Sequence, residues 1–217
     1  MSNVNNTVPG EEQPEKKKKE TSLMKEILSW VEVIVIALVL AFLLDRFVIV
    51  NARVPSGSME NTIKPGDRLL GLRFSYLFSD PKRGDIVVFK YPIDQALGKN
   101  TNYVKRIVGL PGETVEIRDS KIYINGSDTP LEEPYLKEEW VTMNDGFSFQ
   151  VPEDCYLMLG DNRNNSSDAR YWPMKAISKG LASTEEEAMA YSYVHKDQFL
   201  GKVSLRYWPL NKIGSLY

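Results

Sequence analysis

Two serines in the stretch VPSGSME are candidates for nucleophilic catalysis. Ser56 and Ser58 flank Gly57, and either hydroxyl could attack a carbonyl carbon while the other helps to hold the oxyanion. A serine becomes nucleophilic when a neighbouring base takes its proton, and histidine is the usual base. The chain has a single histidine, His195, far along the sequence. A catalytic reading therefore requires another base, and the alternative is that PSGS is an ordinary turn.

Lys105, in the stretch TNYVKRIVG, is the candidate base. If this stretch is a strand, Tyr103, Lys105 and Ile107 share one face and apolar side chains surround the amine. Burial can lower the pKa of a lysine from about 10.4 by about 3 to 5. A neutral amine can then take the proton of a serine hydroxyl, as in Ser-Lys proteases. The alternative is an exposed lysine on an edge strand.

A third polar stretch, GDNRNNSSDAR at residues 160–170, adjoins the apolar run CYLML. Asp168 and Arg170 are spaced to form an ion pair that would fix this loop. Either Ser166 or Ser167 could exchange a hydrogen bond with a nearby lysine. The alternative is a solvated, asparagine-rich turn.

Strand-like runs dominate the chain after residue 50, and they must position these residues. The runs are RGDIVVFKYP, TNYVKRIVGLPGETVEIRDSKIYINGSD, GFSFQVPEDCYLMLGDN and GKVSLRYWPL. Strands and helices do not alternate, so the pattern predicts antiparallel sheets rather than a doubly wound fold. One short helix is expected near 184–194, with Ser183 as its N-cap and Glu186 three residues later.

The N-terminal region predicts a membrane anchor. Residues 1–26 are polar and lysine-rich, which is typical of a disordered tail, and residues 27–48 contain the apolar run ILSWVEVIVIALVLAFLL. A buried core helix and a removed signal peptide are the alternatives. The lysines before the span favour a cytoplasmic N-terminus, which puts the β domain, residues 49–217, outside the cytoplasm.

The composition excludes several other classes of function. The formal net charge of −2 does not suggest a nucleic-acid partner. Cys155 is the only cysteine, so it can form neither an internal disulfide nor a cysteine-rich zinc site. We therefore expect no metal site, and we interpret Cys155 as a small buried hydrophobe.

The order of these motifs resembles the type I signal peptidases. An anchor is followed by PSGSM, then GD at residues 84–85, then YVKR, then GDNRNNSSDAR. The pattern is most similar to the short, single-anchor form typical of Gram-positive bacteria. The resemblance covers roughly residues 25 to 170 and resumes at GKVSLRYWPL.

This resemblance implies a role for each matching residue. Ser58 matches the nucleophile and Lys105 matches the general base. Ser56 matches the hydroxyl that joins the Ser58 backbone N–H in the oxyanion hole, and Ser166 matches the serine that orients the lysine. Structural support is implied for Gly84, Asp85, Asp161, Asp168 and Arg170.

The resemblance also implies a fold, a substrate and partners. The fold is an N-terminal transmembrane helix with an all-β catalytic domain of coiled antiparallel sheets. The substrate is the signal peptide of an exported preprotein, cut after a small-x-small motif such as Ala-x-Ala. We expect contact with the lipid bilayer, no nucleic-acid partner and a monomer, with Met59, Tyr103 and Val104 as candidates for the walls of the substrate pocket.

Residues 171–200 depart from the resemblance, because this segment is longer than the short form requires. We interpret it as a surface excursion that holds the predicted helix and a surface His195. It includes the string Ala188-Met189-Ala190, after which self-cleavage is conceivable unless the helix protects it.

Two other functions share part of this pattern. A self-cleaving repressor uses the same Ser-Lys logic, but it would carry a DNA-binding domain and no membrane span. An inactive, membrane-anchored binding paralogue would be expected to lack Ser58 or Lys105, and both residues are present.

Overall fold

The computed structural model describes residues 16–141 and 145–216. The chain divides into two compact units, one that ends at Leu44 and one that begins at Asp45. The elements of the second unit are almost entirely antiparallel strands and short helices, as the sequence predicts.

The first unit is a single long helix, α1 (Lys16–Leu43), which continues into a π-helical turn at Leu44–Val48. Within Leu23–Val48, an 18-residue window has a mean hydropathy of 2.8 and no buried residue, so the interpretation as a core helix is wrong. These 26 residues are long and apolar enough to cross a bilayer. The predicted disordered tail needs correction, because α1 already begins at Lys16; residues 1–15 lie outside the described part of the chain.

Eleven strands lie within the described residues. They are β1 (Ile49–Arg53), β2 (Arg68–Leu72), β3 (Ile86–Lys90), β4 (Asn102–Gly109), β5 (Thr114–Arg118), β6 (Lys121–Ile124), β7 (Ser148–Gln150), β8 (Cys155–Leu159), β9 (Tyr193–His195), β10 (Phe199–Trp208) and β11 (Gly214–Ser215).

The strands form two antiparallel sheets. The larger sheet has the order β1-β2-β10-β3-β4-β8-β9, with β11 paired to β10, and the smaller sheet has the order β6-β5-β7. The β5–β6 hairpin closes on Asp119 and Ser120, which both have positive φ, as a type I′ turn requires. Strand β4 is in the interior of the larger sheet, between β3 and β8.

The larger sheet is covered on both faces, because successive side chains of β3 enter different cores. Val87 and Phe89 belong to the main hydrophobic core, whereas Ile86 and Val88 belong to a second core on the other face. This second core contains Met59, the residue that follows Ser58. The serine-bearing segment is therefore fixed to the sheet by an apolar side chain.

Three short helices contribute side chains to the main core: α2 (Pro92–Ala96), α3 (Trp172–Ser178) and α4 (Glu185–Met189). Helices α2 and α3 each have proline in the first turn, where its fixed φ and missing N–H are tolerated. The expected single helix at 184–194 is wrong in its extent: α4 ends at Met189, a 3₁₀ turn follows, and β9 begins at Tyr193.

The segment 171–200 also packs more deeply than a surface excursion. Trp172, Ala176 and Ala188 are fully buried in the main core. The N-cap of α4 is Thr184 rather than Ser183, since the Thr184 hydroxyl accepts a hydrogen bond from the backbone N–H of Glu187. The Ala188-x-Ala190 string lies in helical backbone, which does not present it as an extended substrate.

Candidate active site

Ser58 and Lys105 meet in the second unit, although 47 positions separate them in sequence. Ser58 Oγ and Lys105 Nζ lie 2.5 Å apart, in hydrogen-bond contact. Lys105 is in the interior strand β4, where it pairs with Val87 of β3. Ser58 lies in a compact turn in which Glu60 N–H donates to Gly57 O and Ile63 N–H donates to Met59 O.

Lys105 is buried and its amine is desolvated. The residue is only 3% exposed, so it is not an exposed lysine of an edge strand. Burial lowers the pKa of Lys105 from its ordinary 10.5 to about 8, while the carboxylates of Asp168 and Asp161 act in the opposite direction. A substantial fraction of this amine is therefore neutral near pH 8, and only the neutral form can accept a proton.

Ser56 lies beside the candidate nucleophile. Its hydroxyl is 3.4 Å from Ser58 Oγ and the residue is exposed. A hydroxyl at this distance could donate a hydrogen bond to an oxyanion formed at Ser58.

A buried ion pair joins β4 to the loop that follows β8. The Arg106 guanidinium donates to Asp161 through Nε (2.8 Å) and Nη2 (2.7 Å), and the Thr62 hydroxyl donates to the same carboxylate at 2.5 Å. Asp161 is completely buried and Arg106 is 5% exposed. The serine turn, which contains Thr62, is in this way tied to the residue that follows Lys105.

The predicted ion pair between Asp168 and Arg170 is present and completely buried. Arg170 Nε and Nη2 donate to the two Asp168 oxygens at 2.8 and 2.9 Å, and Gly160 N–H donates to Asp168 at 3.0 Å. These contacts hold the pKa of Asp168 below its usual value against the effect of burial. The carboxylate therefore stays charged within Coulombic range of Lys105.

The expected hydrogen bond from Ser166 to the lysine is not formed. Ser166 is 7% exposed, and its Oγ has no hydrogen-bond partner among the described residues. The hydroxyl is held beside Gly160 instead, where a Cβ would overlap both Ser166 Oγ and the carbonyl oxygen of Ser58. The Lys105 amine makes its hydrogen bond to Ser58.

The Gly84–Asp85 pair connects β3 to its surroundings. Gly84 has φ +89°, which favours glycine, and its carbonyl accepts a hydrogen bond from Arg106 Nη1 at 2.8 Å. Asp85 accepts hydrogen bonds from Tyr76 Oη (3.1 Å) and Lys202 Nζ (2.6 Å). Gly84 therefore contacts Arg106, one residue beyond the candidate base, whereas Asp85 bonds to Tyr76 and Lys202.

A cleft of about 600 Å³ opens onto Ser58 and Lys105. All three pocket candidates line it, and so do residues of β1 that sequence reasoning did not assign. The lining residues are Asn51, Ala52, Arg53, Val54, Pro55, Ser56, Gly57, Ser58, Met59, Val88, Thr101, Asn102, Tyr103, Val104, Lys105, Asn165 and Ser167.

Other titratable residues lie elsewhere. His195 is exposed and caps a 3₁₀ turn, where its Nδ1 accepts from Asp197 N–H. Cys155 is half-buried rather than buried, and desolvation raises the pKa of its thiol, which makes it a poor nucleophile. In the described ranges, no group of three or more His, Cys, Asp or Glu side chains could hold a metal ion.

Sequence reasoning also missed residues 131–141, which contact both the serine turn and the Asp161 loop. The stretch LEEPYLKEEWV has no helical or strand period, so no local signal marks it.

Comparisons with known proteins identify the family of this chain. The family model described as "Signal peptidase, peptidase S26" matches residues 27–208. A signal peptidase I from Bacillus amyloliquefaciens is 39% identical over 178 residues, which cover 78% of this chain and 91% of that protein. A signal peptidase I from Leptolyngbya laminosa is 34% identical over 218 residues and covers 97% of this chain and 92% of its own length.

A crystal structure of a signal peptidase I from Enterococcus faecalis V583 is 30% identical, covers 57% of this chain and 97% of its own, and has a TM-score of 0.41. The family match favours a signal peptidase over the self-cleaving repressor. The chain belongs to the signal peptidase I family, serine endopeptidases that remove signal peptides from exported proteins.

Proposed function

We propose that this chain cleaves signal peptides with a Ser58–Lys105 dyad, after a small-x-small site such as Ala-x-Ala. The single observation that carries the proposal is the 2.5 Å contact between Ser58 Oγ and the amine of Lys105, a residue that is 3% exposed. The pKa of about 8 supports a base role, since the neutral amine is available at mildly alkaline pH.

The reaction is an acyl transfer in two stages. Neutral Lys105 takes the hydroxyl proton of Ser58 while Oγ attacks the carbonyl carbon of the small residue before the cut. The Ser56 hydroxyl and the Ser58 backbone N–H stabilise the oxyanion. Lys105 then gives its proton to the leaving amine, which becomes the N-terminus of the mature protein, and the C–N bond breaks.

The second stage releases the signal peptide. Lys105, neutral again, takes a proton from a water molecule that attacks the Ser58 ester. Collapse of the second tetrahedral intermediate returns the proton to Ser58 and frees the carboxylate of the signal peptide. Each proton therefore passes through one amine, and the scheme requires neither a metal nor an organic cofactor.

The lining of the cleft supports a preference for small side chains. Met59, Tyr103, Val104 and Val88 line it together with the two reacting residues. Met59 and Val88 are each 1% exposed, so these walls are fixed in the second core. Packed apolar walls accept alanine and resist larger side chains, because overpacking a fixed site is costly.

We also propose that residues 27–48 anchor the protein in the plasma membrane as a single span. The N-terminus is then cytoplasmic and the β domain extracytoplasmic, where signal peptides emerge. The exposed apolar helix Leu23–Val48 and the preceding lysines support this proposal. The partners of the protein are then exported preproteins and the lipid bilayer. It acts as a monomer in this proposal, since one copy carries both residues of the dyad.

Cleavage by the purified full chain in detergent tests the proposal. The substrate is a preprotein with an Ala-x-Ala site, and a matched preprotein with leucine in place of the last alanine is the control. Mass spectrometry should show one cut after the second alanine, lost in the control and in Ser58→Ala and Lys105→Met. Full processing by either variant would refute the dyad.

A further inference from the structure

Residues 131–141, here called the clasp, connect the small sheet to the candidate active site. The clasp follows β6, and Leu131 N–H donates to Ile122 O at 2.7 Å, which fixes where it leaves the sheet. It has no regular secondary structure, yet Trp140 near its end is only 7% exposed. Tyr135 and Leu136 bond to Glu133 within the clasp, and the burial of Trp140 shows that the segment also packs against the rest of the β domain.

The side chains of the clasp contact Arg106, which follows Lys105, and Arg163 in the loop after β8. The Arg106 guanidinium lies 3.8 Å from the centroid of the Tyr135 ring. Glu133 accepts two hydrogen bonds from Arg163, at 3.0 and 2.6 Å. Arg106 pairs with Asp161, so the Tyr135 ring of the clasp contacts the guanidinium that holds this carboxylate.

Trp140 completes this arrangement. The guanidinium carbons of Arg163 and Arg170 lie 4.4 and 5.5 Å from its ring centroid. Arg170 is the partner of Asp168, and its Nη2 also donates to Arg163 O at 2.8 Å. One indole ring therefore covers the two arginines that order the loop after β8.

The backbone of the clasp contacts the serine turn itself. Asn61 Nδ2 donates to Tyr135 O at 3.1 Å and to Leu136 O at 3.2 Å. Asn61 has φ +98°, an unusual conformation for a residue other than glycine, only three residues after Ser58. Next to these contacts, Lys137 N–H donates to Asp161 O at 3.4 Å.

The far end of the clasp is fastened to the same loop. Asn164 Oδ1 accepts from Val141 N–H at 3.0 Å, and Asn164 Nδ2 donates to Glu139 O at 2.9 Å. The clasp thus bridges two segments, the serine turn and the loop after β8. These segments also meet directly, since Asn162 N–H donates to Ser58 O at 3.1 Å.

We propose that the clasp sets the position of Ser58 against Lys105, and that Asn61 is the positioning residue through which it acts. The inference rests on the proposed Ser-Lys mechanism. Lys105 is fixed by its own strand, whereas Ser58 is in a turn whose position depends on contacts with neighbouring segments. Proton transfer needs a hydrogen-bond distance between the two side chains, so a small shift of this turn lowers the rate.

Two variants of Asn61 in the full-length protein test the inference. Asn61→Gly permits the positive φ but removes the amide, and Asn61→Asp keeps the shape but cannot donate to the two carbonyls. Asn125→Gly is the matched control. Asn125 also has positive φ and makes one side-chain hydrogen bond, to Thr114 N–H, in the small sheet.

We expect both Asn61 variants to lower kcat on a preprotein by about 10-fold to 100-fold, with KM changed by less than about twofold. Asn125→Gly should leave both constants unchanged. A merely structural role would reduce the amount of active enzyme in proportion to the folded fraction, which thermal unfolding measures separately. A wild-type kcat in both Asn61 variants would overturn the inference.

Hydrogen exchange separates this inference from the proposed function. The amides of Glu60 and Ile63 are bonded within the serine turn and should exchange faster in both Asn61 variants, but not in Asn125→Gly. If the wild-type chain fails to cleave preproteins, the proposed function is refuted, and this exchange still decides whether the clasp holds the turn. Equal exchange of these amides in all the variants would overturn the inference that the clasp holds the serine turn.

Discussion

Lys105 lies directly opposite Val87 in the pairing of β4 with β3, in the interior of the larger sheet. This position explains why Lys105 is only 3% exposed. The resulting fall in the pKa of Lys105 from 10.5 to about 8 corresponds to about 3 kcal/mol. Its burial therefore opposes folding, while it leaves a larger fraction of the amine neutral, and so able to accept a proton, near pH 8.

Replacing the buried amine should stabilise the fold at neutral pH. Below pH 8, Lys105 is charged in both the folded and the unfolded state, so the full cost of burying the charge is present. Lys105→Met keeps the length of the side chain, and we expect it to raise the free energy of unfolding at pH 7 by up to about 3 kcal/mol. Thermal unfolding of the full chain in detergent measures the difference.

The stabilisation by Lys105→Met should shrink as the pH rises from about 8 toward 10.5, because the folded wild-type protein then loses its charge before the unfolded one. Lys121→Met, at an exposed position of β6, is the control and should show no such slope. A Lys105→Met variant that is less stable than wild type at every pH would contradict this explanation.

The ion pair between Arg106 and Asp161 should be costly to break from one side. Asp161→Ala leaves a guanidinium that is 5% exposed without its carboxylate and removes the acceptor of the Thr62 hydroxyl. We expect a loss of about 3 to 5 kcal/mol in the free energy of unfolding. Lys196→Met breaks the exposed pair with Asp80 and should change stability little. Equal losses in the two variants would show that burial does not set the cost.

Gly160 should be intolerant of even a methyl group. A Cβ there would overlap Ser166 Oγ and Ser58 O, so Gly160→Ala must displace the backbone of the serine. We expect kcat to fall by about 100-fold, because a shift of about 1 Å at the reacting groups has this effect. Gly214→Ala meets no atom within 4 Å and serves as the control. A wild-type kcat in Gly160→Ala would contradict the close approach of Gly160 to Ser58 O and Ser166 Oγ.

Ser166 offers a test of a sequence prediction that the structure did not bear out. Its buried Oγ has no hydrogen-bond partner among the residues described, so removing the hydroxyl leaves no other group unpaired. We expect Ser166→Ala to be as stable as wild type or slightly more stable, by thermal unfolding. A loss of more than about 1 kcal/mol would mean that the hydroxyl has a partner in solution.

The sequence was most informative where a motif and its chemistry coincide. Ser58 and Lys105 could be assigned because the ordered motifs resemble one family, and the apolar pattern of β4 predicts that the lysine is desolvated. Pattern alone could not place β4 in the interior of the sheet rather than at an edge. That placement depends on pairing with β8, about 50 residues away in the chain.

Local sequence patterns could not predict the clasp or the helices of residues 171–200, for two different reasons. Asn61 meets Tyr135 across 74 positions, and such a contact leaves no period in either segment. Helix α3 has only seven residues and begins with Trp172-Pro173, so it is too short to display an amphipathic repeat. Its burial comes from tertiary packing against the main core.

The pH dependence of kcat/KM for the full chain on a preprotein tests the Ser58–Lys105 dyad most directly. The acid limb reports the base of the free enzyme, so activity should rise with pH and reach a plateau with an apparent pKa of about 8. A limb centred near 10.5, the ordinary value of lysine, would contradict the claim that burial makes this amine the base. So would a limb near the ordinary histidine value of about 6.5.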